Sequence, residues 1–419
     1  MAKPRSISSR ANTVQTIERM FVDQEEAGLI RHRAGSSDGA TWVVDGRPMR
    51  NFASCSYMGL ERHPELLAGA MDALTEFGSN FAISRAYLQC PLYDALEETL
   101  GEAMNGHVLV APSTTLAHLA ALPVLVGDRD LVLVDQLTHA SVHMATNLID
   151  DVPIEIVRHN RMDLLERRLG EAGDDYDRVW YLCDGVYSML GDFAPFAELS
   201  ALMRRFPKLH LYVDDAHAMS WTGRHGRGAA RSRLAPLDRV VVAASLAKAF
   251  GANGGALVLP TEELRDRVRR CGGPMMFSGP LVPPVLGAAL ASARLHLRPE
   301  FEDMQGELRE RLALASEGLA AAGLDLATDA RTPVRVLHCG SVAAAQAVVR
   351  TMRERGFFMC ISTFPAVPVN KPSVRFTISR HNSLADIRDM IDCLAEARAA
   401  AEELAAAGDR VADEPRGLS

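Results

Sequence analysis

The chain has 419 residues, 48% of them apolar, which is enough for one large α/β domain with an appendage or for two or three domains. Its formal net charge of −8 argues against nucleic acid or an anionic membrane surface as the partner. Seven scattered cysteines without a CxxC pair fit reduced thiols better than a disulfide framework or a zinc site. No apolar run reaches the ~18 residues of a membrane span, and the polar first 30 residues predict no signal peptide, so we expect a cytoplasmic protein.

The N-terminal segment predicts a helix and a hairpin. Residues 1–12 are rich in serine and arginine and are expected to be disordered, whereas residues 13–30 have helical spacing and are expected to lie across another domain or subunit. The stretch 42–52 predicts a hairpin that turns at Asp45-Gly46, because Asp-Gly favours a tight turn.

Short apolar runs then alternate with helical stretches, which predicts βαβ units and a mainly parallel sheet. The strands of this sheet are predicted at 107–110, 131–134, 154–157, 179–183, 209–213, 240–244 and 256–259. Helices are predicted at 64–77, 262–271 and 284–322.

Beyond residue 330 the pattern changes to that of a smaller α+β domain. Its predicted strands are 334–338, 357–362 and 374–378, and its predicted helices are 341–355 and 384–406. We therefore expect four regions, which are an N-terminal helix and hairpin (1–60), a large α/β domain (61–290), a small α+β domain (291–406) and a frayed tail (407–419).

Polar side chains follow four of the predicted strands, at the carboxyl ends where ligands bind in open α/β sheets. In chain order these groups are Thr138 to Ser141, Asp184 to Asp192, Asp214 to His217, and Ser245 with Lys248. Lys248 stands among small and apolar residues, where desolvation disfavours the ammonium form and makes the amine a nucleophile for an aldehyde.

An aldehyde cofactor that acts as an electron sink needs an amine, an anion for its ring nitrogen, a stacking surface and phosphate donors. Lys248, Asp214 and His139 can supply the first three. Phosphate donors are available from Ser245 and from Ser113-Thr114-Thr115 at the start of a predicted helix. His217 and Ser188 can contact a ring hydroxyl.

Each of these residues also has an ordinary structural interpretation. Asp214-Asp215 can cap a helix, His139 can be a satisfied half-buried histidine, and Ser113-Thr114-Thr115 can form a simple N-cap. Asp184 and Asp192 are expected to be turn residues. The pattern as a whole favours the cofactor site.

With these residues, the chain resembles the α-oxoamine synthase family of pyridoxal-phosphate enzymes of fold type I. The likeness extends from about residue 51 to 387. The matching blocks are Asn51-Phe52, Tyr57 to Pro64, Thr138 to Ser141, Asp184 to Asp192, Val213 to His217, Gly226 to Gly228, Ser245 to Gly251 and Val374 to Thr377.

The resemblance implies a large domain with a mainly parallel seven-stranded sheet and a smaller C-terminal α+β domain. It implies that pyridoxal 5′-phosphate is linked to Lys248, which also acts as acid and base. By the same likeness Asp214 pairs with the ring nitrogen, His139 stacks on the ring, His217 and Ser188 surround the ring hydroxyl, and Ser245 binds the phosphate.

The resemblance also implies a homodimer with shared active sites. Ser278 of a partner copy would reach the phosphate, although Gly279 stands where the family usually has a hydroxyl. Arg375 matches the arginine that binds the amino-acid carboxylate. Arg31 is the nearest candidate for a second, N-terminal arginine.

Three departures from the family pattern concern the substrate. Cys55-Ser56 stands where Asn-Asp is usual, the glycine-rich segment 78–87 is bulkier, and Tyr93 replaces a histidine. These changes predict a non-standard amino acid or acyl donor.

The expected reaction is condensation of an α-amino acid with an acyl thioester, on coenzyme A or acyl carrier protein, with decarboxylation to an α-aminoketone. The alternatives are a fold type I aminotransferase or lyase, a variant whose Cys55 alters the reaction, and a catalytically silent partner subunit. Retention of Lys248, Asp214 and His139 argues against the last of these.

Overall fold

The computed structural model describes residues 7–363, 367 and 371–412. In chain order the strands are β1 (Ala34–Ser37), β2 (Thr41–Val44), β3 (Arg47–Asn51), β4 (His107–Ala111), β5 (Leu131–Asp135), β6 (Ile154–Val157), β7 (Val179–Asp184), β8 (Leu209–Asp214), β9 (Val240–Ser245), β10 (Gly255–Leu259), β11 (Val334–His338), β12 (Phe357–Phe358), β13 (Cys360–Ser362) and β14 (Ser373–Thr377). The helices are α1 (Ile7–Glu26), α2 (Pro64–Phe77), α3 (Leu92–Met104), α4 (Thr114–Leu125), α5 (Ala140–Thr146), α6 (Met162–Ala172), α7 (Phe196–Arg205), α8 (Gly228–Arg233), α9 (Glu262–Cys271), α10 (Gly273–Phe277), α11 (Pro283–His296), α12 (Glu300–Ala321), α13 (Val342–Glu354) and α14 (Leu384–Ala412).

Seven strands form one sheet in the order β4-β10-β9-β8-β7-β5-β6. From β9 to β6 the neighbours are parallel, whereas β10 is antiparallel to both β4 and β9. The predicted α/β class with a mainly parallel seven-stranded sheet is confirmed, because each of the seven predicted strands is present within one residue of its expected ends.

The central strands are buried along their whole length, which explains why they are continuous apolar runs rather than alternating ones. Helix α4 covers part of this sheet, and its Ala117, Ala121 and Leu122 share one apolar cluster with Val134 and Leu182. This packing holds α4 against the sheet.

The chain divides into two compact units. The large unit comprises Cys55–Ser188 and Asp192–Arg309, and the small unit comprises the residues up to Ser54, Met189–Gly191 and those from Glu310 on. The four-region division expected from the sequence stays a prediction.

In the small unit, β1, β2, β3 and β12 form one sheet, and β11, β14 and β13 form another. The stretch 357–362, expected as one strand, is two short strands, β12 and β13, which belong to different sheets. The side chain of Asn382 donates from Nδ2 to the Asn51 carbonyl at 2.9 Å. Asn51 of the motif thus has a structural role here.

Three element boundaries differ from those expected. The helix predicted at 284–322 is two helices, α11 and α12, because Pro299 in the break lacks a backbone N–H. Helix α1 begins at Ile7 rather than at residue 13, so residues 7–12 are helical and not disordered. Helix α14 extends to Ala412, six residues beyond its expected end and into the segment expected to be frayed. Residues 1–6 and the tail beyond residue 412 lie outside the described part. Of the described helices, none combines the length and apolar character that a bilayer crossing needs.

A charged histidine ties two segments of the large unit together. His159 Nδ1 lies 3.0 Å from Asp135 Oδ1, and its Nε2 lies 2.9 Å from Oδ2 of Asp192, so Asp192 is more than a turn residue. Burial lowers the pKa of His159, but the hydrogen bonds and charges of the two carboxylates outweigh this and raise the pKa to about 9. The imidazolium therefore links the end of β5 to the loop after β7.

We expect this link to make stability depend on pH. Since the folded pKa of about 9 exceeds the ordinary value of 6.5, the stabilisation is complete below pH 6.5 and is lost as the pH rises through 9. His159→Gln should lower the free energy of unfolding by on the order of 1–3 kcal/mol near neutral pH, and by much less at high pH.

Urea unfolding of wild type and of His159→Gln from pH 6.5 to above pH 9 measures this change in the free energy of unfolding. The control is His143→Gln. Because burial lowers the pKa of His143, this substitution should leave unchanged the slope of the free energy of unfolding against pH above pH 6.5. Parallel stability curves for wild type and His159→Gln would contradict the assignment.

Candidate active site

The predicted functional residues of the large unit gather at one edge of its sheet. Strands β5, β7, β8 and β9 are parallel neighbours, so their carboxyl ends meet there. Strand β4 runs in the same direction, since β10 is antiparallel to both β4 and β9, and α4 therefore begins at this edge.

Lys248 lies in the turn that follows β9 and is half-buried. The turn is closed by two hydrogen bonds, from Gly251 N to the Lys248 carbonyl at 3.0 Å and from Ala247 N to Ser245 Oγ at 3.2 Å. Ser245 itself is buried at the end of the strand. The turn thus places Lys248 three residues beyond a buried hydroxyl, that of Ser245.

Asp214 ends β8 and is buried, but its carboxylate has charge-stabilising partners. Oδ2 lies 3.0 Å from His118 Nε2, and Oδ1 accepts from Ala216 N at 3.1 Å. Burial raises the pKa of Asp214, but His118, Lys248 and His139 together hold it well below its usual value. The carboxylate is therefore an anion at neutral pH.

The partner of Asp214 was not anticipated from the sequence. His118 is fully buried on α4, and its Nδ1 lies 2.8 Å from the Tyr212 hydroxyl. The residue falls on an apolar helix 96 positions before Asp214, and only the sheet order brings the two together. The feature of the sequence that could have pointed to His118 is the presence of a histidine within a mostly apolar helix.

Asp184 is the register neighbour of Asp214 on β7. It is not a turn residue, because it ends the strand, is buried, and accepts a hydrogen bond from His139 N at 3.0 Å. Burial, followed by the charge of Asp214, raises the pKa of Asp184 well above its usual value. Two adjacent carboxyls thus differ in charge, and Asp214 is the anion.

His139 caps α5 and leaves its ring exposed. Its Nδ1 accepts from Ser141 N at 3.3 Å and lies 2.6 Å from Ser141 Oγ, so the ring proton of the neutral form resides on Nε2. The surrounding protein lowers the pKa of His139 by desolvation, and Asp214 only partly offsets this. An exposed, neutral ring with an Nε2–H donor is suited both to stacking and to hydrogen bonding.

His217 is buried, and its Nδ1 lies 2.7 Å from the hydroxyl of Tyr57, a residue of the matching block that begins at position 57. The tyrosine had been assigned no role from the sequence. This contact orients the imidazole of His217 at the end of β8.

The sequence left open whether Asp214 or Asp215 caps a helix, and the structure distinguishes the two. Asp215, not Asp214, serves as the helix cap, since its Oδ2 accepts from Ala230 N at 3.0 Å in α8. A Cβ at Gly228 would lie 2.1 Å from this carboxylate, which explains the glycine of the 226–228 block. Burial raises the pKa of Asp215 to about 7.

Hydroxyls surround the start of α4. Ser113 accepts from Leu116 N at 3.1 Å, so it is the N-cap, and Thr114 Oγ1 donates to the Ala244 carbonyl at 3.3 Å. Gly255 allows this close approach, because a Cβ there would lie 2.5 Å from Thr114 N. The first turn of α4 is thereby held against β9 and β10.

The remaining predicted residues are divided between the large and the small unit. Ser188 and Cys55 are half-buried in the large unit. Ser278 Oγ donates to the Pro274 carbonyl at 2.6 Å. Arg375 and Arg31 belong to the small unit, where Arg375 is half-buried on β14 and Arg31 is exposed and ion-paired with Glu25 at 3.3 Å.

Comparison with known proteins agrees with this arrangement. The family model "Aminotransferase class I and II" matches residues 47–392. The 8-amino-7-oxononanoate synthase of Geobacter metallireducens is 32% identical over 372 residues, which cover 88% of this chain and 94% of that protein. The enzyme of the same name from Coprothermobacter proteolyticus is 30% identical over 383 residues, 89% of this chain and 95% of that protein.

Among solved structures, the serine palmitoyltransferase of Sphingomonas wittichii superposes with a TM-score of 0.86 at 24% identity, covering 95% of this chain and 99% of that one. This likeness shows the fold.

The fold and the site define a pyridoxal-phosphate enzyme of fold type I, and the chain belongs to the aminotransferase class I and II family. Within that family it is an α-oxoamine synthase, the group of acyltransferases that condense an amino acid with an acyl thioester and release carbon dioxide. The residues present fit the cofactor, since a lysine amine, a buried carboxylate anion and an exposed imidazole meet at one sheet edge.

We expect His118 to set the strength of cofactor binding through Asp214. Replacing His118 by Leu removes a hydrogen bond to a buried charge, which costs about 1.5–3 kcal/mol. Retention of pyridoxal phosphate in equilibrium dialysis should weaken by about tenfold to a hundredfold.

Tyr212→Phe is the matched milder change, because it leaves the His118–Asp214 contact in place. It should weaken retention less than His118→Leu does. If His118→Leu retains the cofactor as well as wild type while folding normally, the assigned role of His118 is wrong.

Proposed function

We propose that the catalytic work is done by Lys248, with Asp214, His139 and His217 as its cofactor-directed partners. The observation that carries this proposal is geometric: His139, Asp214 and Lys248 stand at or just after the ends of β5, β8 and β9, parallel strands of one sheet whose carboxyl ends meet at one edge. His139 and Lys248, more than a hundred positions apart in the chain, thus lie at the same edge.

Pyridoxal phosphate, when bound, supplies the electron-withdrawing ring that acidifies the α-proton of an amino acid. In our proposal Lys248 Nζ would hold the aldehyde carbon until the amine of the amino acid takes its place, and the freed Nζ would then remove the α-proton and later return a proton to the α-carbon. The anion of Asp214 would keep the ring nitrogen protonated. His139 would lie against the ring and donate from Nε2 to the carbonyl oxygen of the acyl group.

The phosphate, the ring hydroxyl and the substrate are assigned to further residues. Ser245, Ser113 and Thr114 would bind the phosphate, with Ser278 contributed by a second copy of the chain, and His217 and Ser188 would contact the ring hydroxyl. Arg375 would bind the amino-acid carboxylate bidentately, and Arg31 would assist it. Overall, an α-amino acid and an acyl thioester give an α-aminoketone, carbon dioxide and a free thiol.

We further propose a homodimer that works in the cytoplasm. The seven cysteines are free thiols, which fits a reducing compartment. Sharing of Ser278 between copies would make the dimer a requirement for cofactor binding.

The decisive assay supplies pyridoxal phosphate, a panel of amino acids and acyl thioesters on coenzyme A or acyl carrier protein. We expect thiol release, carbon dioxide release and aminoketone formation to occur in equal amounts. Lys248→Ala should abolish all three, whereas Lys208→Ala, a surface lysine paired with Asp174, should not. Formation of a keto acid without thioester consumption would instead establish an aminotransferase.

Position 55 is expected to influence which amino acid is used. Cys55→Asn restores the residue usual in the family and should shift the ratio of kcat/KM values across the amino-acid panel by about tenfold, the effect of one gained or lost polar contact. The control is Cys271→Ser, an exposed cysteine on α9. An unchanged ratio in Cys55→Asn would refute the link between this departure and substrate choice.

A further inference from the structure

The small unit contains a cleft of about 490 Å³ that none of the residues assigned above lines. It lies between α12 and β11 and is bounded by the segment from Leu324 to Arg331. This volume is typical of sites for small molecules.

Arg335 of β11 lines the cleft and is only 1% exposed. Its guanidinium contacts two neutral oxygens, because Nη1 donates to the Ala330 carbonyl at 2.5 Å and Nη2 to Ser316 Oγ at 2.6 Å. Its Nε is buried with no hydrogen-bond partner among the described atoms.

A buried cation of this kind normally has a carboxylate partner, since an uncompensated charge in the interior is costly. Here burial, and then the neighbouring charge of Arg331, lower the pKa of Arg335 to about 10, so the group is still charged at neutral pH. The guanidinium of Arg335 by itself therefore favours an anion.

The rest of the cleft restricts which anion fits. Ala320, Leu324 and Leu326 give it an apolar wall, and its exposed charged residues are Glu317, Asp325, Asp329 and Arg331. Arg331 is paired with Glu317 at 3.4 Å, which leaves two carboxylates without an ion pair among the described residues. These carboxylates disfavour polyanions, and the wall favours an apolar body.

We propose that this cleft binds a small apolar monocarboxylate, with its carboxylate on the guanidinium of Arg335 and its hydrocarbon part along Ala320, Leu324 and Leu326. An Arg–carboxylate contact would supply the counter-charge that Arg335 lacks. This site goes beyond the proposed function and does not depend on it.

The sheet register separates the cleft from Arg375. Strands β11 and β14 are antiparallel, and Val336 lies opposite Arg375, whereas Arg335 lies opposite Phe376. Because successive residues of a strand point to opposite faces, the two arginines lie on opposite faces of the same sheet. One ligand cannot contact both in this arrangement.

The test is titration of the pyridoxal-phosphate-loaded enzyme with hexanoate, followed by ligand-observed NMR and calorimetry. We expect saturable binding of hexanoate and none of inorganic phosphate or hexylamine. Arg335→Met should weaken binding at least about tenfold, the effect of losing a charge-assisted hydrogen bond. Arg355→Met, a surface arginine of the same unit paired with Glu396, should bind as wild type does.

A second variant tests the wall without disturbing a buried residue. Ala320→Glu places a carboxylate at an exposed position of α12 inside the cleft, and should also weaken hexanoate binding while leaving thermal unfolding unchanged. The proposal would be overturned if hexanoate did not bind, if Arg335→Met and Ala320→Glu both bound it as tightly as wild type does, or if phosphate bound in preference to it.

Discussion

The buried negative charge of Asp214 is the constraint on which the active site depends. Burial alone would neutralise this carboxyl, and it stays ionised because the hydrogen bond and charge of His118, and then the charge of Lys248, favour the anion. His118 is in turn oriented by Tyr212 from inside the sheet. The anion that we propose as the partner of the cofactor ring nitrogen is thus maintained by the packing of α4 on the strands.

The same sheet edge shows how three neighbouring carboxyls acquire different tasks. Asp184 and Asp214 are register neighbours, and Asp184, which contacts the backbone N–H of a histidine rather than an imidazole, has the raised pKa. Asp215 points away to cap α8 in a space that glycines leave open. Environment, and not residue type, distinguishes an anion, a neutral acid and a helix cap.

The small unit carries two arginines with contrasting environments on adjacent strands. Arg375 is half-buried, and Arg335 is enclosed by neutral oxygens on the opposite face of the sheet. Sequence reasoning singled out the first through its matching block, but it had no reason to consider the second. An arginine in an apolar strand becomes informative only once its lack of a carboxylate partner is known.

The sequence by itself determined the seven strands of the large sheet and the polar residues that follow them, because apolar periodicity and residue type are local properties. It could not determine that one predicted helix breaks at Pro299, that 357–362 divides between two sheets, or that Asp184 is a buried strand residue. Nor could it pair His118 with Asp214 or Tyr57 with His217, contacts between residues 96 and 160 positions apart. Only the tertiary structure decided these pairings and the charge states that follow from them, because desolvation and charge proximity depend on distances in space.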